Sequence, residues 1–104
     1  MRLRKSKTYL CVSLTTGKKN RRLNCLVDNG CFFNLVSYRY VTGLRLSPSS
    51  EQLVAMNGSN VRILGSVKLP FTVDDQNLVV DFLVADDITW LVLGFSFLSA
   101  YGCR

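Results

Sequence analysis

The residues best placed for chemistry are Asp28-Asn29-Gly30, which directly follow the apolar run Cys25-Leu26-Val27. A carboxylate on a tight glycine turn, at the exit of a buried strand, is poorly placed for stability. Removing it from water is costly unless it is neutralised or paired. The turn therefore predicts a functional carboxylate, although Asp-Asn-Gly in most proteins is only a turn, and the surrounding elements must decide between the two.

Few other side chains of this sequence could carry a reaction. The chain contains no histidine, which excludes His-dependent triads, Cys-His pairs and His-containing metal sites. The acidic residues are Asp28, Glu51, Asp74, Asp75, Asp81, Asp86 and Asp87. Among the rivals of Asp28, neither Asp81 nor the pair Asp86-Asp87 lies on a glycine turn after an apolar run, so we expect them to be solvated.

The cysteines Cys11, Cys25, Cys31 and Cys103 form no CxxC pair and have no regular spacing. The basic segment 1–7 is not followed by an apolar signal core, so a secreted disulfide framework is not expected. We expect free, largely buried thiols in a reducing compartment, and neither zinc nor any other metal or cofactor.

Composition predicts one globular domain spanning residues 1–104. Hydrophobic residues make up 48% and charged residues 19% of the 104-residue chain, values typical of a folded domain with a single core. The longest apolar stretch, residues 90–100, is too short to span a bilayer. We expect a soluble cytoplasmic or particle-associated protein that does not contact a membrane.

The net charge of +6 comes largely from two basic clusters. They are Arg2, Arg4, Lys5 and Lys7, and then Lys18, Lys19, Arg21 and Arg22. Such clusters are typical of nucleic-acid or acidic-partner surfaces. A solvated tail and a charged hairpin tip explain them better, because no aromatic residue interleaves with the second cluster and neither is on a helix.

Short apolar runs separated by turn signals predict strands along most of the chain. The runs are 9–14, 23–27, 32–37, 53–56, 59–64, 67–73, 78–85 and 90–94. Asn57-Gly58 is the strongest hairpin signal, because both turn positions favour positive φ. Short helices are predicted at 37–43, with Ser37 as N-cap, and at 95–102. Regular strand spacing favours an all-β barrel or sandwich.

The order of these pieces resembles the retropepsin-like aspartic proteases of retroviruses and retrotransposons. Leu26-Val27-Asp28-Asn29-Gly30 stands where that family has apolar-apolar-Asp-Thr/Ser-Gly, and residues 53–64 resemble its flap hairpin. Leu91-Val92-Leu93-Gly94 resembles the apolar-apolar-Gly motif before the closing helix, and Tyr101-Gly102-Cys103 resembles the Ile-Gly-Cys ending. The resemblance implies a small closed all-β barrel of the acid-protease type, with a flap hairpin and one short C-terminal helix.

The resemblance also implies an aspartic endopeptidase that cleaves a retroelement polyprotein as a homodimer. A chain with one such carboxylate must pair with a second copy, because the mechanism needs two carboxylates that share a proton. The implied site comprises catalytic Asp28, turn support from Asn29, Gly30 and Cys31, a flap tip of Met56, Asn57, Gly58 and Ser59, and a substrate pocket of Phe32, Phe33, Val54, Ile63 and Phe95.

Some residues depart from the family pattern and keep two alternatives open. Asn29 replaces the Thr/Ser hydroxyl that bonds across the dimer, and Phe32 and Phe95 replace an Asp–Arg pair. The chain stops at Arg104, where retroviral members continue into a dimer strand, so we expect weak dimerisation. The alternatives are an inactive retropepsin-like domain used for dimerisation or peptide binding, and a basic β-barrel that binds nucleic acid.

Overall fold

The computed structural model describes residues 8–28, 31–54, 58, 60–73, 75–86, 88, 91–94 and 96–97. The strands of the described part are β1 (Thr8–Thr16), β2 (Lys19–Val27), β3 (Leu35–Ser37), β4 (Leu53–Val54), β5 (Asn60–Val61), β6 (Ile63–Val73), β7 (Gln76–Ala85) and β8 (Leu91–Leu93). A single 3-10 turn, Tyr38–Tyr40, follows β3 within these residues.

A closed barrel contains most of these strands, in the order β1-β2-β8-β3-β7-β6. Two long antiparallel hairpins, β1–β2 and β6–β7, supply most of its wall. The barrel closes where β1 pairs with β6, with Ser13 opposite Thr72 and Leu14 opposite Phe71. The predicted closed all-β barrel is confirmed.

The barrel core follows the period-2 alternation expected of half-buried strands. On β6, Leu69 and Phe71 are buried while Lys68 and Pro70 are exposed. The Phe71 ring lies 6.1 Å from the Phe82 ring and 5.9 Å from that of Phe97, between centroids. Because each such aromatic side chain contributes about 1.5–3 kcal/mol when fully buried, this trio is a principal part of the core.

A second apolar group, which we call the outer cluster, is built on Leu35, Leu83 and Val92. Its partly buried members are Leu26, Cys31, Phe33, Leu53, Ile63 and Ile88. The cluster joins residues from beside the Asp28 turn to Leu53 of β4. It therefore attaches the small β4–β5 sheet to the barrel.

Strands β4 and β5 form the predicted flap hairpin. They pair antiparallel, with Leu53 opposite Val61 and Val54 opposite Asn60, so the midpoint of their connection falls at residue 57. Next to that midpoint Gly58 has φ +88°, a value that glycine adopts at no steric cost. The other predicted tip residues, Met56, Asn57 and Ser59, lie outside the described residues.

Some predicted elements are shorter in the structure. The run 32–37 forms a strand only at Leu35–Ser37, and the helix predicted at 37–43 is the 3-10 turn alone, with the Ser37 hydroxyl accepting from the Arg39 N–H at 3.3 Å. Of the helix predicted at 95–102, Ser96 and Phe97 are helical and the rest lies outside the described residues. The described part contains no helix long and apolar enough to cross a membrane.

Candidate active site

Strand β8 lies between the two strands that the Asp28 turn connects. β2 runs parallel to β8, with Val27 opposite Leu93. β3 runs antiparallel to β8, with Leu35 opposite Val92. The segment that leaves β2 at Asp28 must therefore cross the end of β8 before it enters β3.

The backbone of Asp28 is fixed to the end of β8. Its N–H donates to the Leu93 carbonyl at 3.0 Å, and its own carbonyl accepts from the Cys31 N–H at 3.2 Å. The residue is nevertheless exposed. The backbone of Asp28 is thus anchored while the residue stays exposed. Asn29 and Gly30 lie outside the described residues.

Residues 31–33, which follow the Asp28 turn, pack directly against Gly94. A Cβ atom at this position would lie 2.3 Å from the Phe33 carbonyl oxygen and 2.4 Å from the Cys31 carbonyl oxygen. Just beyond, the Ser96 N–H donates to the Phe32 carbonyl at 2.9 Å. Any side chain at Gly94 would displace residues 31–33, which explains why the apolar-apolar-Gly motif must end in glycine.

Asn34 is a positioning residue that the sequence did not identify. Its buried side chain accepts from the Gly94 N–H at 2.9 Å and donates to the Asp81 carbonyl at 3.1 Å. Its own carbonyl accepts from the Leu83 N–H at 2.8 Å. The sequence did contain one signal for this role, a lone amide within the apolar run 32–37. A polar side chain that is buried with such a run is expected to form hydrogen bonds inside the protein.

The thiols beside the turn have raised pKa values. Burial raises the pKa of the half-buried Cys31 thiol, a backbone hydrogen bond of Phe33 partly offsets that rise, and the nearby negative charge of Asp28 raises the pKa further. Burial also raises the pKa of Cys25 from 9.0 to about 12. Because the thiolate is the nucleophile, neither residue competes with Asp28. The third described free thiol, Cys11, is exposed, contrary to the expectation of largely buried thiols.

Within the described part of the chain, the predicted pocket residues lie in different surroundings. Phe33 and Ile63 belong to the outer cluster, whereas Phe32 is 56% and Val54 66% exposed. The rings of Phe32 and Phe33 meet edge to face at 5.0 Å and line an open groove of about 600 Å³ along β6 and β7. Val54 and Ile63 are not among the residues that line this groove, and Phe95 lies outside the described residues.

Of the rival carboxylates, Asp81 and Asp86 form surface ion pairs, and Asp87 lies outside the described residues. Asp81 pairs with Lys68 at 3.1 Å and Asp86 with Arg62 at 3.4 Å, and all four side chains are exposed. Such pairs are typical of a solvated surface. Within the described ranges, no group of three or more His, Cys, Asp or Glu side chains could hold a metal ion.

Comparison with known proteins identifies the fold. No protein-family model matches the chain, and neither does any curated protein sequence. Solved structures do match. EIAV protease, complexed with the inhibitor HBY-793, superposes with a TM-score of 0.75 at 20% identity, covering 96% of this chain and 92% of that one. The retroviral protease-like domain of Ddi1 from Leishmania major has a TM-score of 0.67 at 23% identity, covering 91% and 78%. The barrel, the flap hairpin and the strand arrangement around Asp28 together give this chain the fold of the retropepsin-like aspartic proteases.

Proposed function

We propose that residues 1–104 are a single protease domain, an aspartic endopeptidase that acts as a homodimer with one Asp28 from each subunit. The observation that carries this proposal is the position of Asp28. It is exposed at the exit of β2, and its backbone is held by Leu93 at the end of β8. The retropepsin-like fold supports the same conclusion.

The chemistry requires a second copy of the chain. One ionised carboxylate removes a proton from water as the water oxygen bonds to the peptide carbonyl carbon, and a protonated carboxylic acid donates its proton to the carbonyl oxygen. Collapse of the tetrahedral intermediate returns a proton to the departing amine. Asp28 is the only carboxylate in the sequence that is followed two residues later by glycine, so the proposed second carboxyl group is Asp28 of a partner related by two-fold symmetry.

The two Asp28 side chains would act as one unit. Like charges a few ångströms apart cannot both be ionised, so the pair is proposed to share a single proton. One carboxylate is then ready as the base while the other is ready as the acid. This mechanism needs no metal or cofactor.

The β4–β5 hairpin is proposed to close over an extended peptide and to hydrogen-bond its backbone, which excludes water from the reaction. Turn support is assigned to Asn29, Gly30 and Cys31, the flap tip to Met56, Asn57, Gly58 and Ser59, and the substrate contacts to Phe32, Phe33, Val54, Ile63 and Phe95. These apolar side chains favour apolar substrate residues. The proposed substrate is the polyprotein of a retroelement, processed inside the cell.

A peptide-library cleavage assay at about pH 5, where an aspartic dyad shares one proton, tests the proposal. We expect Asp28→Asn to abolish cleavage. The matched control Asp81→Asn makes the same chemical change on an exposed, ion-paired residue, and this variant should still cleave peptides. A transition-state mimic should block cleavage by the parent protein. At concentrations where most of the protein is monomeric, activity should rise with the square of protein concentration. A parent protein that cleaves nothing at any concentration contradicts the proposal.

A second candidate is an inactive retropepsin-like domain that dimerises or binds peptides. Asn29 favours it, because an amide stands where the family has a hydroxyl. The likeness to a domain of Ddi1 shows that this fold is not confined to the viral protease. The variant Asn29→Thr separates the two candidates. Cleavage that appears only in the variant supports an inactive parent, and equal cleavage by both supports the enzyme.

A further inference from the structure

A small pocket lies between the tip of the β1–β2 hairpin and the chain that follows the 3-10 turn. It has a volume of about 260 Å³, and its walls include Lys18, Lys19, Arg21 and Tyr40. None of its lining residues belongs to the Asp28 turn, the outer cluster or the β4–β5 hairpin. The pocket is therefore a separate site from the proposed cleft.

The described lining of the pocket concentrates positive charge. Three of its lining side chains are cationic and none is a carboxylate. In the part of the chain that the structure describes, the salt bridges are Arg62–Asp86 and Lys68–Asp81, and neither involves a pocket cation. Like charges brought together repel one another, so a pocket of this composition favours an anionic ligand.

Two arginines are arranged around the ring of Tyr40. The guanidinium carbon of Arg21 lies 5.4 Å from the ring centroid and that of Arg39 lies 6.0 Å from it. Arg21 Nε also donates to the Thr16 hydroxyl at 3.4 Å. Because Tyr40 packs against the barrel core, the guanidinium groups are pre-positioned. A held guanidinium loses less entropy when it binds a phosphate bidentately.

We propose that this pocket binds the phosphodiester backbone of single-stranded nucleic acid. Single-stranded sites combine cations that follow the backbone with aromatic faces on which bases stack. The three lining cations, with Arg39 over the ring of Tyr40, supply the first component. Tyr38 is 39% exposed and precedes Arg39 in the 3-10 turn, and it would supply the second from outside the pocket lining. An acidic peptide would satisfy the cations but would leave the ring of Tyr38 unused, so the observations favour nucleic acid.

Binding is measured by fluorescence anisotropy with a labelled oligouridylate of about ten nucleotides, a length that one small barrel can cover. Every protein carries Arg2→Gln, Arg4→Gln, Lys5→Gln and Lys7→Gln, so the first basic cluster contributes nothing. The test variant is Lys19→Gln/Arg21→Gln. The matched control is Arg62→Gln/Lys68→Gln, which lowers the net charge equally but on exposed residues outside the pocket.

The salt dependence gives the decisive result. Each lost phosphate contact to a single strand lowers the slope of log K against log salt concentration by about 0.7. The test variant should lower the slope by about 1.4 and weaken binding at least about tenfold at 0.1 M salt. The control should stay within about twofold of the parent, since it removes no phosphate contact. Equal loss in both variants overturns the proposal, because binding would then depend only on net charge.

Further measurements separate nucleic acid from other polyanions. Tyr38→Leu should weaken binding severalfold with an unchanged salt slope, because stacking is not an ionic contact. Polyglutamate of matched length should compete much more weakly than unlabelled oligouridylate. Equally effective competition by polyglutamate, or preferential binding to phosphatidylserine vesicles, would replace the proposal with an acidic-protein or lipid surface.

Discussion

The Oδ1 atom of Asn34 accepts a hydrogen bond from the backbone N–H of Gly94 at 2.9 Å, inside the protein. The other end of the same amide donates to the Asp81 carbonyl at 3.1 Å. One side chain thereby connects the segment after Asp28 to the end of β8 and to β7. The position of the Asp28 turn depends on an amide that takes no part in the proposed chemistry.

Replacing Asn34 should destabilise the fold. In Asn34→Ala the buried Gly94 N–H and the part-buried Asp81 carbonyl lose these partners, and each group left unsatisfied costs about 1–3 kcal/mol. Urea denaturation should show a lower free energy of unfolding by about that amount or more. The control is Asn24→Ala, an exposed asparagine on β2, which should change stability by no more than about 0.5 kcal/mol. Equal effects in the two variants would contradict the role assigned to Asn34.

Gly94→Ala tests the close approach of residues 31–33. The added methyl group would lie 2.3 Å from the Phe33 carbonyl oxygen, so the backbone must move, at a cost of about 3 kcal/mol. Gly43 provides a control, because nothing lies within 4 Å of a Cβ built there and only its φ of +86° opposes alanine. Gly43→Ala should cost about 1 kcal/mol. Thermal unfolding measures the loss of stability in both variants. The loss should be larger for Gly94→Ala, where a steric clash is expected, than for Gly43→Ala, where only the backbone conformation is unfavourable.

The buried thiol of Cys25 should make stability depend on pH in the alkaline range. Its pKa rises from 9.0 to about 12 on folding, so above pH 9 the unfolded chain releases a proton that the folded chain keeps. The stabilisation is complete below pH 9 and falls by about 1.4 kcal/mol per pH unit between 9 and 12. Comparing the parent with Cys25→Ala isolates this contribution, since the variant should lack that part of the decline.

The free cysteines should differ in their reaction with iodoacetamide. Cys11 is exposed, Cys31 is half-buried with a raised pKa, and Cys25 is fully buried. Because alkylation requires an accessible thiolate, modification should occur in that order in a Cys103→Ser background. Peptide mapping by mass spectrometry gives the rates. Modification of Cys25 before Cys11 under native conditions would contradict the described barrel.

The barrel and its hairpins could be predicted because their signals are local. Alternating side chains on β6 and the Asn57-Gly58 turn are each visible within a few residues of sequence. The predicted strand at 32–37 was wrong over its first half for a non-local reason. Residues 31–33 pack against Gly94, and in that position they do not pair with a neighbouring strand.

The same distinction explains which site residues were missed. Asp28 was predicted from a turn motif, whereas Asn34 has its role only through Gly94 and Asp81, far along the chain. The second basic cluster contains no aromatic residue of its own, and Tyr40 joins it only after folding. Contacts of this kind depend on tertiary structure, which single-sequence patterns do not encode.

The placement of β8 between β2 and β3 also determines when the contacts of Asp28 can form during synthesis. Both neighbours of β8 lie in the first part of the chain, while β8 itself is near the other end. During synthesis the Asp28 backbone cannot gain its bond to Leu93 until nearly the whole domain has left the ribosome. Long-range pairing of this kind also slows folding. A growing chain therefore carries the Asp28 carboxylate before the contacts that hold its backbone have formed.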